Sequence, residues 1–434
     1  MAKTYDTYKD SGIAWIGEIP GDWEVCSLKY QTKFINGFAF NSNDFQKKGE
    51  MPVFRIGDII EDNISIKDNV FVNKQNALNN YEVRKGDILL AMSGATTGKI
   101  GIIKNQIGYI NQRVGIVRST IQPWIFYNLK SNIFSEYVLL KAIGSAQPNI
   151  STENFNNYKI PLPPLSVQQS ISSFLDTKCG EIDSLISIQE EMISELLAYK
   201  QSVITEAVTK GLDKKPKMKN SGVEWIGDIP EEWEVKFLLK IIWLRARLGW
   251  KGLKAEEYVE SGYPFLSAFN IVNNQLVWSD LNYINKQRYE ESPEIKLSIG
   301  DVLIVKDGAG IGKTVRIQEL PYGESTVNSS LGVITPSKIL NYHFLYYFLL
   351  SNPFQNMVGF LKNGMGVPHL TQENMKSVLI PLPPLPIQQA IATYLDEKTS
   401  QIDSLIALKQ SKIESLKEYK KSIIYEYVTG KKRV

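Results

Sequence analysis

Ile160-Pro161-Leu162-Pro163-Pro164-Leu165 returns unchanged as Ile380-Pro381-Leu382-Pro383-Pro384-Leu385, and the residues that follow keep a constant offset of 220. Between 160–210 and 380–430, 26 of 51 positions are identical without a gap, far more than shared helical composition gives. The chain is therefore an internal repeat. Proline fixes φ and has no amide donor, so each strap is extended, and a long helix starts after Leu165 and again after Leu385.

Apolar or bulky residues then recur at steps of four and three: Ile171, Leu175, Ile182, Leu185, Met192, Leu196, Tyr199 and Val203. The second copy gives Ile391, Leu395, Ile402, Leu405, Leu416, Tyr419 and Ile423. This is a heptad seam. A second stripe (Ile186, Ile193 and Ile204; Ile406, Ile413 and Ile424) widens the apolar face. Gly180 predicts a kink, leaving about 30 residues, roughly 45 Å, as the longest straight segment.

Charge points to the partner of each helix. Residues 181–210 carry a net charge of −4 and residues 401–430 a net of +1, with Lys409 and Lys412 on the seam where the first helix has Gln189 and Met192. Opposite charge favours pairing the two helices of one chain over pairing like with like. An intramolecular antiparallel coiled coil is the expectation.

The repeat reaches back to the beginning of the chain. Trp15-Ile16-Gly17-Glu18-Ile19-Pro20-Gly21-Asp22-Trp23-Glu24-Val25 is echoed by Trp225-Ile226-Gly227-Asp228-Ile229-Pro230-Glu231-Glu232-Trp233-Glu234-Val235, identical at eight of eleven positions. Its paired tryptophans read as a packed lid at the entrance of a domain. Short alternating runs such as Pro52–Ile56, with Gly- and Asn-rich turns between them, make each intervening domain α+β and mostly β. Helical segments are expected at Pro123–Ile143 and Tyr342–Leu361. The organisation that follows is a domain at 1–165, a helical region at 166–212, a solvated Lys-rich linker at 213–221, a second domain at 222–385 and a distal helical region at 386–434. Inside the domains only landmarks align: Gly86-Asp87-Ile88-Leu89-Leu90 with Gly300-Asp301-Val302-Leu303-Ile304, Gly98-Lys99 with Gly312-Lys313, and Gln147-Pro148-Asn149-Ile150 with Val367-Pro368-His369-Leu370.

A chain of 434 residues has room for two such domains with sizeable cores, and 43% hydrophobic with 22% charged residues is ordinary globular composition. A formal net charge of +3 is only a weak pointer to an acidic partner. Two cysteines, Cys26 and Cys179, exclude a disulfide framework and suit a reducing compartment. No apolar run reaches transmembrane length, and the amino terminus lacks an apolar signal core, so a cytoplasmic protein is expected.

Domain, IPLPPL…QQ strap and long helix, written twice, resembles the specificity subunit of type I restriction–modification systems, over essentially the whole chain. The resemblance implies two target-recognition domains, each reading one half of a split DNA site. It implies helices that set the spacer and dock two methyltransferase subunits, with restriction/translocase subunits joining through them. S-adenosylmethionine and ATP would sit on those partners in a prokaryotic cytoplasm, and this chain would bring no catalysis and no cofactor of its own.

Enzyme motifs do not compete. Gly308-Ala309-Gly310-Ile311-Gly312-Lys313-Thr314 is close to a phosphate-binding loop, but the required first glycine is Asp307, whose charge would repel phosphate. Ser93 stands there in the first copy, with Ile100 after the lysine. A tight turn that brings Lys99 and Lys313 near a phosphate backbone fits better. Asn352-Pro353-Phe354 resembles a base-methylation motif but lacks its second proline, and two histidines with two distant cysteines do not make a zinc site.

Recognition of DNA needs cations for phosphates and side chains that match base edges. Arg55, Lys99 and Arg113 are the candidates in the first domain. In the second they are Arg245, Arg247, Lys251 and Lys313, the first three clustered among Trp243, Trp250 and glycines, joined by Lys254, Arg288, Lys306 and Arg316. Two readers on one face of a duplex call for half-sites ~34–36 Å apart. The alternative is an orphan two-part DNA-binding protein without modification partners.

Overall fold

The computed structural model describes residues 4–60, 63–65, 70–142, 148–213, 215–247, 253–362 and 369–434. The chain forms two compact units, Met1–Gln189 with Ser411–Val434, and Glu190–Gln410. Each holds one mostly-β domain and a segment of both long helices.

The two domains share one plan. In the first unit a four-stranded antiparallel sheet has the order Ile100–Ile102, Ile88–Ala91, Val114–Arg118, Lys33–Asn36. Its counterpart in the second unit runs Thr314–Arg316, Val302–Val305, Leu331–Pro336, Ile242–Ala246. Beside each lies a smaller sheet containing one parallel pair, Met51–Phe54 with Tyr109–Ile110, and Tyr263–Leu266 with Thr326–Val327. The Gly-Asp landmarks therefore open equivalent central strands, buried along their whole length (Ile88–Ala91 and Val302–Val305).

The proline strap is the closing strand of each domain. Lys159–Leu162 pairs antiparallel with Glu24–Ser27, and Leu379–Leu382 with Glu234–Phe237. Proline is tolerated because these are two-stranded edges. The first glutamine of each QQ pair ties strap to helix: Gln168 Nε2 donates to Pro163 O (2.7 Å) and Gln388 Nε2 to Pro383 O (2.8 Å). Tyr127 and Tyr347 hydroxyls each donate to a long-helix carboxylate, Asp176 and Asp396, at 2.6 Å. Around Asp396 the second unit adds Arg316 (2.6 Å) and His343. Burial and the Arg316 charge hold His343 below the usual histidine range, whereas the Asp396 bond raises Arg316 against its own burial.

The long helices span Leu165–Lys210 and Leu385–Val428. The Gly180 position, where a kink was expected, does not interrupt the helix. The first helix is one unbroken element of 46 residues, and Ser184 Oγ donates to the Gly180 carbonyl within it. Each unit shows antiparallel pairing by itself. In the first, Phe174 stacks on Tyr427 and Lys420 pairs with Asp183 at 2.6 Å. In the second, Lys409 meets Met192 Sδ at 3.3 Å and Lys200 pairs with Asp403 at 2.6 Å. An offset of 220 turns Asp183–Lys420 into Asp403–Lys200, so the two ion pairs are one contact written twice.

The seam differs in phase from the sequence reading. Buried or half-buried positions are Ile182, Ile186 and Gln189 with Ile413, Leu416, Lys420 and Ile423 in the first unit. In the second they are Ile193, Leu196, Lys200 and Val203 with Ile402, Ile406 and Lys409. Ile182, Leu196, Ile402 and Leu416 hold their expected places. Leu185, Tyr199, Leu405 and Tyr419 do not, being 47, 55, 48 and 53% exposed. From Ile182 and Ile402 the seam takes a step of four where the reading took three. Polar residues at the true positions hid the phase, because Lys200 and Lys420 find carboxylates across the pair.

Three other expectations change. Met218–Asn220 is a strand paired with Asp228–Pro230, like Tyr8–Asp10 with Glu18–Pro20, so 213–221 is not wholly a solvated linker. The matching Asp10-Ser11-Gly12 and Asn220-Ser221-Gly222 turns, each with a glycine amide donating to the Asx side chain, carried that signal. The expected helical segments each split at a serine, Ser131 or Ser351, which is extended and bonds its hydroxyl back to Asn128 O or Phe348 O. Only the second tryptophan of each entrance motif is core. Trp23 and Trp233 are buried, whereas Trp15 and Trp225 are partly exposed.

Helix ends cover those tryptophans. Ile423, Ile424 and Val428 share a core with Ile19 and Trp23, and Ile204, Ala207 and Val208 share one with Ile229 and Trp233. Glycines with positive φ end both helices, Gly211 (+80°) against Trp233 and Gly430 (+71°) against Pro20 and Trp23. A Cβ on Gly430 would lie 2.3 Å from the Pro20 ring. Ile406→Ala and Ile413→Ala should each cost about 2–5 kcal/mol in denaturant unfolding, as buried-isoleucine truncations do. Leu405→Ala should cost about 0.5 kcal/mol or less, as an exposed position; equal losses would restore Leu405 to the seam.

Candidate nucleic-acid interface

Beyond the central strand Ile88–Ala91 the chain makes a tight turn through Ser93–Lys99, closed by Gly98 N donating to Ala91 O at 2.8 Å. Met92 N donates to Arg113 O, and Ile150 N to Met92 O, both at 2.9 Å. Asn111 N reaches Phe54 O, next to Arg55, at 2.9 Å. Thr152 Oγ1 donates to Asn36 Oδ1 at 2.8 Å. Loops 92–99, 111–113 and 148–152, with Arg55 and Asn36, therefore meet at one end of the sheet.

The second unit repeats the frame. Gly312 N donates to Val305 O (2.8 Å), Lys306 N to Ser330 O (2.9 Å) and Leu370 N to Lys306 O (2.8 Å). The Gly-Lys landmark is explained by packing. Gly98 and Gly312 sit at φ +85° and +86°, and a Cβ there would press within 3.1 Å of Val138 or 2.8 Å of Val358. The glycine lets the turn lie against a helix, with the following lysine projecting from it.

Four of the candidates are placed on this frame. Lys99, Arg113 and Lys313 are exposed, and Arg55 is half-buried. Lys313 also lines a groove of about 1430 Å³ within the second unit, whose walls include Lys200, Gln201, Trp278, Arg316 and Asp403. Lys251 lies outside the described residues. Arg245 and Arg247 are corrected by the structure. Arg247 is buried, its guanidinium over the Phe265 ring at 5.3 Å, and burial lowers its tendency to stay charged.

Arg245 is a core ion pair. Its Nη2 lies 2.9 Å from Asp301 Oδ2, with side chains 7 and 1% exposed, and it also bonds Thr335. Asp301 further accepts from Ser298 N at 2.8 Å, as Asp87 accepts from Arg84 N at 2.7 Å. The first unit solves the same problem from another strand: Arg118 grips Asp87 with Nε and Nη2 at 2.8 and 2.7 Å. Strand register matches Arg118 to Thr335 and Ile35 to Arg245, so the arginine stands on a different strand in each unit. A buried carboxylate needs a partner, and either neighbouring strand can supply it.

A family model described as the type I restriction modification DNA specificity domain matches residues 20–197 and 230–418. The chain belongs to this family. Its role is accordingly DNA sequence recognition. The chain is similar to the type I restriction enzyme MjaVIII specificity subunit of Methanocaldococcus jannaschii, 28% identical over 96% of this chain and 94% of that one. It is also similar to the EcoKI specificity subunit of Escherichia coli, 23% identical over 90% of this chain and 84% of that one. A solved chain from work on complex assembly and conformational transition of the type I R-M system shares the fold, with TM-score 0.72 and 17% identity over 94% of this chain and 98% of that one.

For a DNA specificity chain, two residues of the second frame, Asp307 and His369, were missed by sequence reasoning, beside Lys306, which was among its basic candidates. Asp307 takes Lys306 Nζ on Oδ2 and His369 Nδ1 on Oδ1, each at 2.6 Å. Their signal was the alignment of Asn149 with His369, read there only as a landmark. Among the described residues no helix is long and apolar enough to cross a membrane, and no three His, Cys, Asp or Glu side chains group to hold a metal ion.

Arg245→Ala should destabilise the second unit by about 3–5 kcal/mol, read by thermal or denaturant unfolding, because it strands a buried carboxylate. Lys99→Ala and Lys313→Ala should leave the unfolding curve in place, weaken DNA binding, and reduce the salt slope by about one each. A stable Arg245→Ala protein with lowered DNA affinity would return that residue to the binding surface.

Proposed function

We propose that each unit binds one half of an asymmetric, two-part DNA site, that the helix pair sets the spacer, and that this chain carries no catalytic centre. The observation that carries the reading is a pair of equivalent loop frames, alike in backbone and unlike in polar side chains, attached to helices paired in the same register in both units. Like frames give like docking on a duplex; unlike side chains give unlike half-sites.

Leu185, Ile188, Met192, Tyr199, Leu405, Leu408 and Tyr419 leave apolar area on the outer sides of the helices. These faces are the sites for two methyltransferase subunits, whose S-adenosylmethionine supplies the methyl group. Restriction/translocase subunits, with ATP, join through them. An apolar face of this kind with no partner would be a liability for a lone DNA-binding protein, which favours the complex over the orphan alternative.

Inserting one heptad into each long helix keeps the seam in phase and lengthens the pair by about 10.5 Å. At 3.4 Å per base pair the preferred spacer should grow by roughly 3 base pairs, with both half-site sequences unchanged. Selection from duplexes of varied spacer length reads this directly. An unaltered spacer would refute the helices as its determinant.

A further inference from the structure

The frames around Met92 and Lys306 differ where a base edge would meet them. Hydrogen bonding and isolated bridges match Met92, Ser93, Arg113 and Asn149 of the first unit to Lys306, Asp307, Ser330 and His369 of the second. The strands beneath keep their character, Leu89 and Leu90 corresponding to Leu303 and Ile304, all buried. An apolar floor has been retained under a rim whose chemistry has changed.

In the second unit that rim is organised around one carboxylate. Asp307 holds Lys306 Nζ and His369 Nδ1 at 2.6 Å on separate oxygens. A carboxylate oxygen accepts, so His369 donates from Nδ1, and in the neutral tautomer that this contact selects Nε2 is an acceptor. The Lys306 ammonium keeps two further donors. All three residues line a cavity of about 270 Å³ that is floored by Leu244, Ile304, Leu370 and Met375. Partial exposure of Lys306 and Asp307, and greater exposure of His369, leaves the groups reachable from outside.

Two donors followed by an acceptor complement the acceptor–acceptor–donor edge of a G·C pair in the major groove, whereas an A·T pair presents acceptor–donor–acceptor. Guanine offers N7 and O6 as acceptors, and its cytosine partner offers the N4 amine as donor. We propose that Lys306 and His369 read a G·C pair in the second half-site, with Asp307 as the positioning residue that fixes both. The inference rests on the reading that the second unit binds one half-site. Ser93, Arg113 and Asn149 present a different donor and acceptor set at the matched positions, so the first half-site differs at the corresponding place.

The test uses the full chain assembled with methyltransferase subunits, selecting from duplex DNA randomised across both half-sites. Lys306→Met should erase a guanine preference at one position of the second half-site, by roughly 5- to 150-fold, and leave the first half-site untouched. Lys306→Arg should keep the guanine, since arginine pairs with the same two acceptors; it carries the test if the methionine variant fails to fold. Asp307→Asn should weaken selection at that same position and favour no new base. An unchanged second half-site in these variants, or equal loss across both halves, overturns the assignment. If the unmutated assembly selects no two-part target, the underlying reading falls with it, which separates the two failures.

Discussion

The contact on which each unit depends is a buried tryptophan covered by the last turns of a long helix. Trp23 shares a core with Ile423, Ile424 and Val428 and lies against Gly430, and Trp233 shares one with Ile204, Ala207 and Val208 and lies against Gly211. For the first domain, those covering residues lie some 400 positions further along the chain. Tyr8 OH donates to the Gly430 carbonyl and Lys431 Nζ to the Glu18 carbonyl, both joining the entrance hairpin to the chain's last residues. The first unit therefore cannot complete its core until the second helix has been made. Helix pairing and domain folding are consequently one cooperative problem in each unit.

That constraint explains what the repeat has kept. Strap, QQ pair, tyrosine–aspartate bond, terminal glycine and entrance tryptophan all serve the joint between domain and helix, and all recur, the first three at an offset of 220, the glycine at 219 and the tryptophan at 210. The sheets that carry the loops need only apolar strands and a buried acid with an arginine beside it. Arg118 and Arg245 meet that need from different strands. Inside the domains, then, the physical requirement is preserved while the residue that meets it moves, and the rims are free to differ more.

Much of the architecture was legible in the sequence because it rests on local chemistry. Proline sets the strap, the period of the apolar residues gives the helices, and opposite charge gives their partner. The phase of the seam was not legible, because Ile182 is followed by apolar residues at both Leu185 and Ile186, and the true line passes through Gln189 and Lys200. Arg245 misled for a related reason. A basic residue between tryptophans and glycines looks solvent-facing until the register places Asp301 beside it. The grouping of Asp307 and His369 with Lys306 was hidden because His369 lies more than 60 residues from the other two, and only the fold brings it to them.

The central claim is that one polypeptide carries two unlike readers of one two-part DNA site. Its most direct measurement is the consensus selected by the unmutated assembly from fully randomised duplex DNA. The account predicts two dissimilar half-sites separated by a spacer of a single length. A palindromic consensus, or one continuous run of specified bases, would contradict it.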